Sequence, residues 1–164
     1  MKEIEKIQQA VCGALTGAGL TALTAYPDRW AGDYGGAVAT VDVGTAESGP
    51  MGFCSYLGEA YDPEAGTVLE LYGKQLDAEI WVDVRGGTAQ QCREGCTLAA
   101  EVLLGGLPGG IRPGELAWEG LEWESATQMF RRRGRLRCRA VFQAAAHEDA
   151  EEFLDFQLKG AVQT

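Results

Sequence analysis

Leu76-Asp77-Ala78-Glu79-Ile80-Trp81-Val82-Asp83-Val84-Arg85 alternates apolar and polar side chains almost without a break. Successive residues of a strand point to opposite faces, so Leu76, Ala78, Ile80, Val82 and Val84 form a core strip. Asp77, Glu79, Trp81, Asp83 and Arg85 form the other face. Clean alternation of this length reads as a half-buried strand of an antiparallel sheet, placed here over residues 67–85. Gly73 lies between two strand-like runs and marks an expected bulge or bend.

A second stretch repeats the pattern with the opposite charge. Arg135-Leu136-Arg137-Cys138-Arg139-Ala140-Val141-Phe142 puts Arg135, Arg137 and Arg139 on one face and Leu136, Cys138, Ala140 and Phe142 on the other. With Arg131, Arg132 and Arg133, six of the fourteen basic residues fall within nine positions, in a chain of net charge −10. A row of like charges repels itself and is tolerated where water screens it or an acidic group lies opposite. Three readings apply: a solvated outer face, a contact with an acidic partner or sister subunit, or a contact with phosphate, for which Arg forks are suited. No aromatic side chain is interleaved on the Arg side of the strand, which counts against stacking on single-stranded nucleic acid.

Residues 3–23 carry Ile4, Ile7, Val11 and Leu15 at helical spacing, and Tyr26-Pro27-Asp28 closes that segment. Residues 37–43 form a short strand, 44–52 a Gly/Ser/Thr-rich loop and 51–57 a possible second strand. Asp62-Pro63-Glu64-Ala65-Gly66 has the chemistry of a turn. Gly86-Gly87 ends the central strand, and Thr88 caps a second helix over residues 89–104. Its buried stripe holds Ala89, Cys92, Cys96, Ala99, Ala100 and Leu103. Residues 105–114 are a Gly/Pro loop, 116–123 a strand, 144–152 a polar connection and 153–160 a final strand. The order of elements predicts one α+β domain over residues 1–164, a mostly antiparallel sheet packed by an N-terminal and a central helix.

The 164 residues include 24 acidic and 14 basic side chains, a balance that argues against broad binding to nucleic acid or anionic membrane. No segment is long and apolar enough to span a bilayer. The charged start, Met1-Lys2-Glu3-Ile4-Glu5-Lys6, lacks the apolar centre of a signal peptide, so the cytoplasm is the expected compartment. The five cysteines are odd in number, and Cys12, Cys96 and Cys138 fall on core faces, where a thiol acts as a small apolar residue. Cys92 and Cys96 share a helix face, but a closed zinc site needs more ligands than these and the single His147 supply.

Catalytic equipment is sparse. His147, beside an acidic loop, is the one histidine available to a nucleophilic site. Gly13, Gly17 and Gly19 lack the ending of a phosphate loop. Carboxylates at Glu119, Glu122 and Glu124, near Trp118 and Trp123, are candidates for a small hydrolase; a solvated strand face is the competing reading. No catalytic residue, cofactor or metal site is assigned. The residues assigned to a subunit or partner contact are the basic Arg131, Arg132, Arg133, Arg135, Arg137 and Arg139 and the acidic Glu148, Asp149, Glu151 and Glu152. Residues 77–83 offer a second acidic patch. A basic patch that meets a different, acidic patch on the next copy makes a heterologous contact, as rings require.

The linear order of these features resembles the small tail-completion and tail-terminator proteins of long-tailed phages and prophages. The likeness is carried by the N-terminal helix with Tyr26-Pro27-Asp28, the strand beginning Glu70-Leu71-Tyr72-Gly73-Lys74, and the Gly-bounded helix with Cys92. It continues with Met129-Phe130 before the basic strand and ends with Asp155-Phe156-Gln157-Leu158-Lys159-Gly160. What the resemblance implies is a structural virion-assembly subunit, not an enzyme. Such subunits form a homo-oligomeric ring, commonly a hexamer, that caps the tail tube and meets head-completion proteins. It further implies assembly in the bacterial cytoplasm and residence in the tail particle. A tube or baseplate subunit of the same machine is the alternative.

Overall fold

The computed structural model describes residues 2–26, 34–147 and 154–160. Pro27, Asp28, Glu148, Asp149, Glu151 and Glu152, singled out above, lie outside the described residues. Two helices pack on one face of a seven-stranded sheet of order β1-β2-β3-β6-β4, with the short β5 and β7 paired to β6. Helix α1 spans Lys2–Gly17 and α2 spans Ala89–Gly105. The strands are β1 Thr21–Leu23, β2 Val38–Asp62, β3 Thr67–Gly86, β4 Ile111–Trp118, β5 Glu122–Glu124, β6 Met129–His147 and β7 Gln157–Leu158. All strand pairs are antiparallel except β1 with β2. The α+β class read from the sequence is the class observed.

The two alternating stretches are adjacent central strands. Leu76, Ala78, Ile80, Val82 and Val84 on β3 stand opposite Ala140, Cys138, Leu136, Gly134 and Arg132 on β6. Leu76, Ile80, Val82, Val84, Leu136, Ala140 and Phe142 are buried in one cluster with Ile7, Val11 and Leu15 of α1 and Cys92, Ala99 and Leu103 of α2. The α2 stripe also includes Gly95 and Val102, whereas Ala89 and Ala100 sit at its margins. Thr88 caps α2 as its sequence position implies, its Oγ1 accepting the Gln91 N–H at 3.1 Å. Cys12, Cys92, Cys96 and Cys138 are buried thiols and Cys54 is exposed.

Several boundaries differ from the sequence reading. Helix α1 stops at Gly17, not near residue 23. The Leu20 N–H reaches back to the Leu15 carbonyl at 3.1 Å and the Gly19 N–H to Thr16 at 3.0 Å, with Gly19 at φ +96. That is a Schellman cap, and Leu15 and Leu20 are both buried beneath it. Residues 21–23, released from the helix, pair in parallel with Val38–Thr40 as β1.

The expected loop at 44–52 is instead part of β2, a 25-residue strand. Its partner decides the matter, because β3 pairs along it from Val38↔Arg85 to Asp62↔Thr67. Local propensity yields to that non-local ladder. The hairpin closes at the turn foreseen in the sequence, where Asp62 Oδ1 accepts the N–H groups of Glu64 and Ala65 at 3.0 and 3.3 Å. The irregularity expected at Gly73 is present, but the extra residues belong to β2. Met51 pairs with Gly73 and Tyr56 with Tyr72, so residues 52–55 loop out with Cys54 and Ser55 at φ 51 and 67.

The Gly/Pro loop is shorter than its composition implies, because β4 begins at Ile111 and ends at Trp118. The strand expected over residues 116–123 divides between β4 and β5. The final strand reduces to Gln157–Leu158.

Beyond Gly73 and Ala144 the β2–β3–β6 ladder continues to Leu69↔His147, and no residue of 51–72 or 145–147 is buried. Residues 51–72 form an arm projecting from the packed body. His147 is exposed at the end of β6.

Replacing Gly19 by Ala tests the cap. Open space surrounds the position, so strain at positive φ is the whole effect. The expected loss is about 1–2 kcal/mol in urea denaturation, without loss of the folded state.

Candidate interface on the outer face of the sheet

The odd-numbered residues of β3 and β6 share the face away from the helices, and the register determines who meets whom. Arg139 stands opposite Asp77, Arg137 opposite Glu79, Arg135 opposite Trp81, Arg133 opposite Asp83 and Arg131 opposite Arg85. On the other side of β6, Glu122 stands opposite Arg131. Arg135, Arg137 and Arg139 are exposed, and Leu136, Cys138 and Ala140 between them are buried. The two-faced reading of this strand therefore holds.

The like-charge row is compensated from within the chain. Arg139 forks onto Asp77, Nε to Oδ1 at 2.7 Å and Nη2 to Oδ2 at 3.4 Å. Arg133 forks onto Asp83 at 2.8 and 3.0 Å. Arg135 Nη2 meets Glu119 Oε1 at 2.6 Å, and Arg131 bonds Glu122. Asp77 and Asp83 are thus not a separate patch for a neighbouring copy, as the sequence reading offered. The β3–β6 register engages them with this chain's own guanidinium groups. Hydrogen bonding from Arg139 holds the Asp77 carboxyl below the usual carboxylate range. Arg137 has no ion pair among the described residues, since Glu79 accepts the Trp81 indole N–H at 2.6 Å. The Trp81 ring lies under the Arg133 guanidinium, 4.6 Å from its centroid, and across Gly44, where any Cβ would overlap the indole.

Arg132 leaves the group. It is on the helix face, its Nε donating to the Glu119 carbonyl at 2.7 Å and its side chain bordering Cys96 and Trp118. Cys92, on the buried stripe of α2, donates its thiol to the Val84 carbonyl at 3.3 Å. Among the described residues no group of three His, Cys, Asp or Glu side chains is placed to hold a metal ion.

At one end of this face a cation is buried. Arg85 is 2% exposed; its Nε donates to Glu124 Oε1 at 2.8 Å and its Nη1 to Thr40 Oγ1 at 2.7 Å. Glu124 also accepts the Thr127 hydroxyl at 2.6 Å and the Tyr26 hydroxyl at 3.2 Å. The Tyr26 ring stacks 4.9 Å from the Arg85 guanidinium. Sequence reasoning placed Arg85 on the outer face but missed its burial. The only signal was a lone cation ending an acidic strand face, with its carboxylate 39 positions away.

At the other end lies a shallow hollow of about 580 Å³ bordered by Arg112, Arg137 and Arg139 and by the carboxylates Asp77 and Glu79. Arg112 is exposed, lies directly across the ladder from Arg139, and has no ion pair among the described residues.

A glycosidase-type site needs one carboxylic acid kept protonated near neutral pH. Glu119, Glu122 and Glu124 instead face Arg135, Arg131 and Arg85. Burial pushes the Glu124 carboxyl up, but hydrogen bonds from Arg85 and Thr127 and the Arg85 charge bring it down to about 2. That is the reverse of what a general acid requires.

No family model matches the sequence, and no curated protein matches it. Among solved structures, a chain from the virion of a native gene transfer agent (GTA) particle superposes with a TM-score of 0.36 and 17% sequence identity. The match covers 84% of this chain and 96% of that chain.

The Arg85–Glu124 pair makes an acid-sensitive prediction. The folded-state value near 2 lies below the ordinary carboxyl value of 4.5, so the stabilisation is complete above about pH 5 and is lost as pH falls toward 2. The shift is equivalent to about 3 kcal/mol. Glu124→Gln is expected to cost on the order of 3 kcal/mol at pH 7, because Arg85 stays buried with only the more distant Asp83, at 3.9 Å, as counter-ion, and to flatten stability between pH 5 and 2. Urea denaturation across that range checks both parts.

Proposed function

We propose that this chain is a structural virion-assembly subunit of a phage or prophage tail, a ring-forming tail terminator or completion protein. In this role it caps the tail tube and joins it to head-side proteins. The observation that carries the reading is the division of the molecule. The helices cover one face of the sheet, while the other face is a charged surface and the β2–β3 hairpin extends past the core. A sheet of this kind offers broad, rigid, laterally distinct surfaces, which heterologous ring contacts use. The linear order of the N-terminal helix, the strand beginning Glu70, the Gly-bounded helix with Cys92 and the Arg-bearing strand supports the same reading, through its resemblance to tail-completion and tail-terminator proteins. The engagement of Glu119, Glu122 and Glu124 by Arg side chains supports a non-enzymatic role.

In this proposal the outer face is the assembly surface, with Arg131, Arg133, Arg135, Arg137 and Arg139 setting its register. Arg137 and Arg112 are its cations without an ion pair among the described residues, while Arg135 and Arg139 are held ready by Glu119 and Asp77. No helix of the described residues is long and apolar enough to cross a membrane.

Tube growth followed by light scattering tests the role, using tail tubes of the same virus or prophage. The wild-type chain is expected to bind tube ends and stop elongation at far below one copy per tube subunit. Arg137→Glu is expected to fold with a stability within about 0.5 kcal/mol of wild type and to cap less well. Tubes that elongate unchanged in the presence of the wild-type chain would remove the proposal.

A further inference from the structure

The arm, residues 51–72, carries four carboxylates and no Lys or Arg. It also holds five of the eight large hydrophobic side chains exposed among the described residues: Phe53, Tyr56, Leu57, Tyr61 and Val68. Phe53, in the looped-out segment of β2, is 88% exposed and Tyr61 68%. Such a concentration on one projecting element marks an interaction surface.

The register shows what this surface lacks. Glu59 lies directly across the ladder from Glu70, and Tyr61 across from Val68. By alternation these four share the sheet face that carries Leu76 and Ile80, in a stretch where no residue is buried. Like charges set directly opposite are destabilising unless a cation lies against them. The outer-face hollow poses the converse problem. Arg112 stands directly across from Arg139, and Arg112 and Arg137 have no ion pair among the described residues. One surface carries carboxylates and aromatic rings with no Lys or Arg; the other sets three guanidinium groups, Arg112, Arg137 and Arg139, around two carboxylates, Asp77 and Glu79.

The two surfaces cannot meet within one chain. β3 runs without interruption from the arm through Asp77 and Glu79, paired to β6 along that whole length. The arm would have to reverse through its own ladder to reach the hollow. We propose that the Glu59/Tyr61 face of the arm of one copy docks in the Arg112/Arg137 hollow of a second copy. The two patches differ, so the contact is heterologous and each copy offers one of each. Arg guanidinium groups pair with carboxylates and stack on aromatic rings, so Glu59 and Tyr61 present a matched target. This contact supplies the subunit interface of the ring proposed above and rests on that reading only for self-association.

Sedimentation velocity on the full chain tests it. Wild type is expected to form oligomers that weaken with added salt. Glu59→Arg and Arg112→Glu are each expected to weaken association roughly tenfold or more, and the double variant to recover most of it. Cys54, the one exposed cysteine of the arm, gives a readout that needs no substitution. A benzophenone maleimide attached there is expected to crosslink to residues 111–118 or 134–141 of another copy, identified by mass spectrometry. A wild-type chain that stays monomeric overturns the inference, as do single variants that associate normally, a double variant that does not recover, or crosslinks confined to other segments. Tube capping that survives loss of the arm contact would defeat this inference and leave the functional proposal standing. Arm-mediated oligomers that ignore tubes would do the reverse.

Discussion

The antiparallel register of β3 against β6 is the constraint on which the remainder of the structure depends. It places Leu76, Ala78 and Ile80 beside Ala140, Cys138 and Leu136 on one face, and Asp77 and Asp83 beside Arg139 and Arg133 on the other. A slip of one residue would turn the guanidinium groups into the core and the leucines into water. Two terms of different size enforce the same register. Burial of the apolar strip beneath α1 and α2 is the larger, at roughly 25 cal/mol per Å² of apolar surface. The outer ion pairs, half exposed at Arg139–Asp77, add little stability but penalise alternatives that set Arg against Arg.

Much of this was legible in the sequence, and the physical reason is locality. The alternation of residues 76–85 and 135–142 reports faces directly. Thr88 with Gly86-Gly87, and Asp62 with Gly66, report a cap and a turn through chemistry within four residues. The errors fell where a distant partner decides. Residues 44–52 have loop composition but become strand because β3 pairs along them. The end of α1 is readable in principle from Leu15, Gly19 and Leu20, the pattern of a Schellman cap, although Ala18 and Gly19 extend the apolar spacing past it. The pairing of Arg133 with Asp83 and of Arg139 with Asp77 spans 50 and 62 positions, and no local rule supplies it. The Arg face was visible in the sequence; its neutralisation was not.

That neutralisation changes what the surface can do. A bare row of guanidinium groups would attract any polyanion. A row interleaved with Asp77, Glu79, Asp83, Glu119 and Glu122 selects by geometry, because only a partner with charges at matching positions avoids like-charge contacts. The pair of buried Arg85 with Glu124 anchors β5 at one end of this face, and Arg112 and Arg137 have no ion pair among the described residues at the other. The arm, acidic and aromatic, projects from the same sheet. Beyond Thr40 the outer edge of β2 has no strand partner among the described residues.

Imaging of the purified chain by electron microscopy at concentrations where it associates tests the central claim most directly. Closed rings of one rotational symmetry, with each arm reaching onto the next subunit, are the predicted result. Open filaments, two-fold dimers that bury identical faces, or monomers alone would contradict the account.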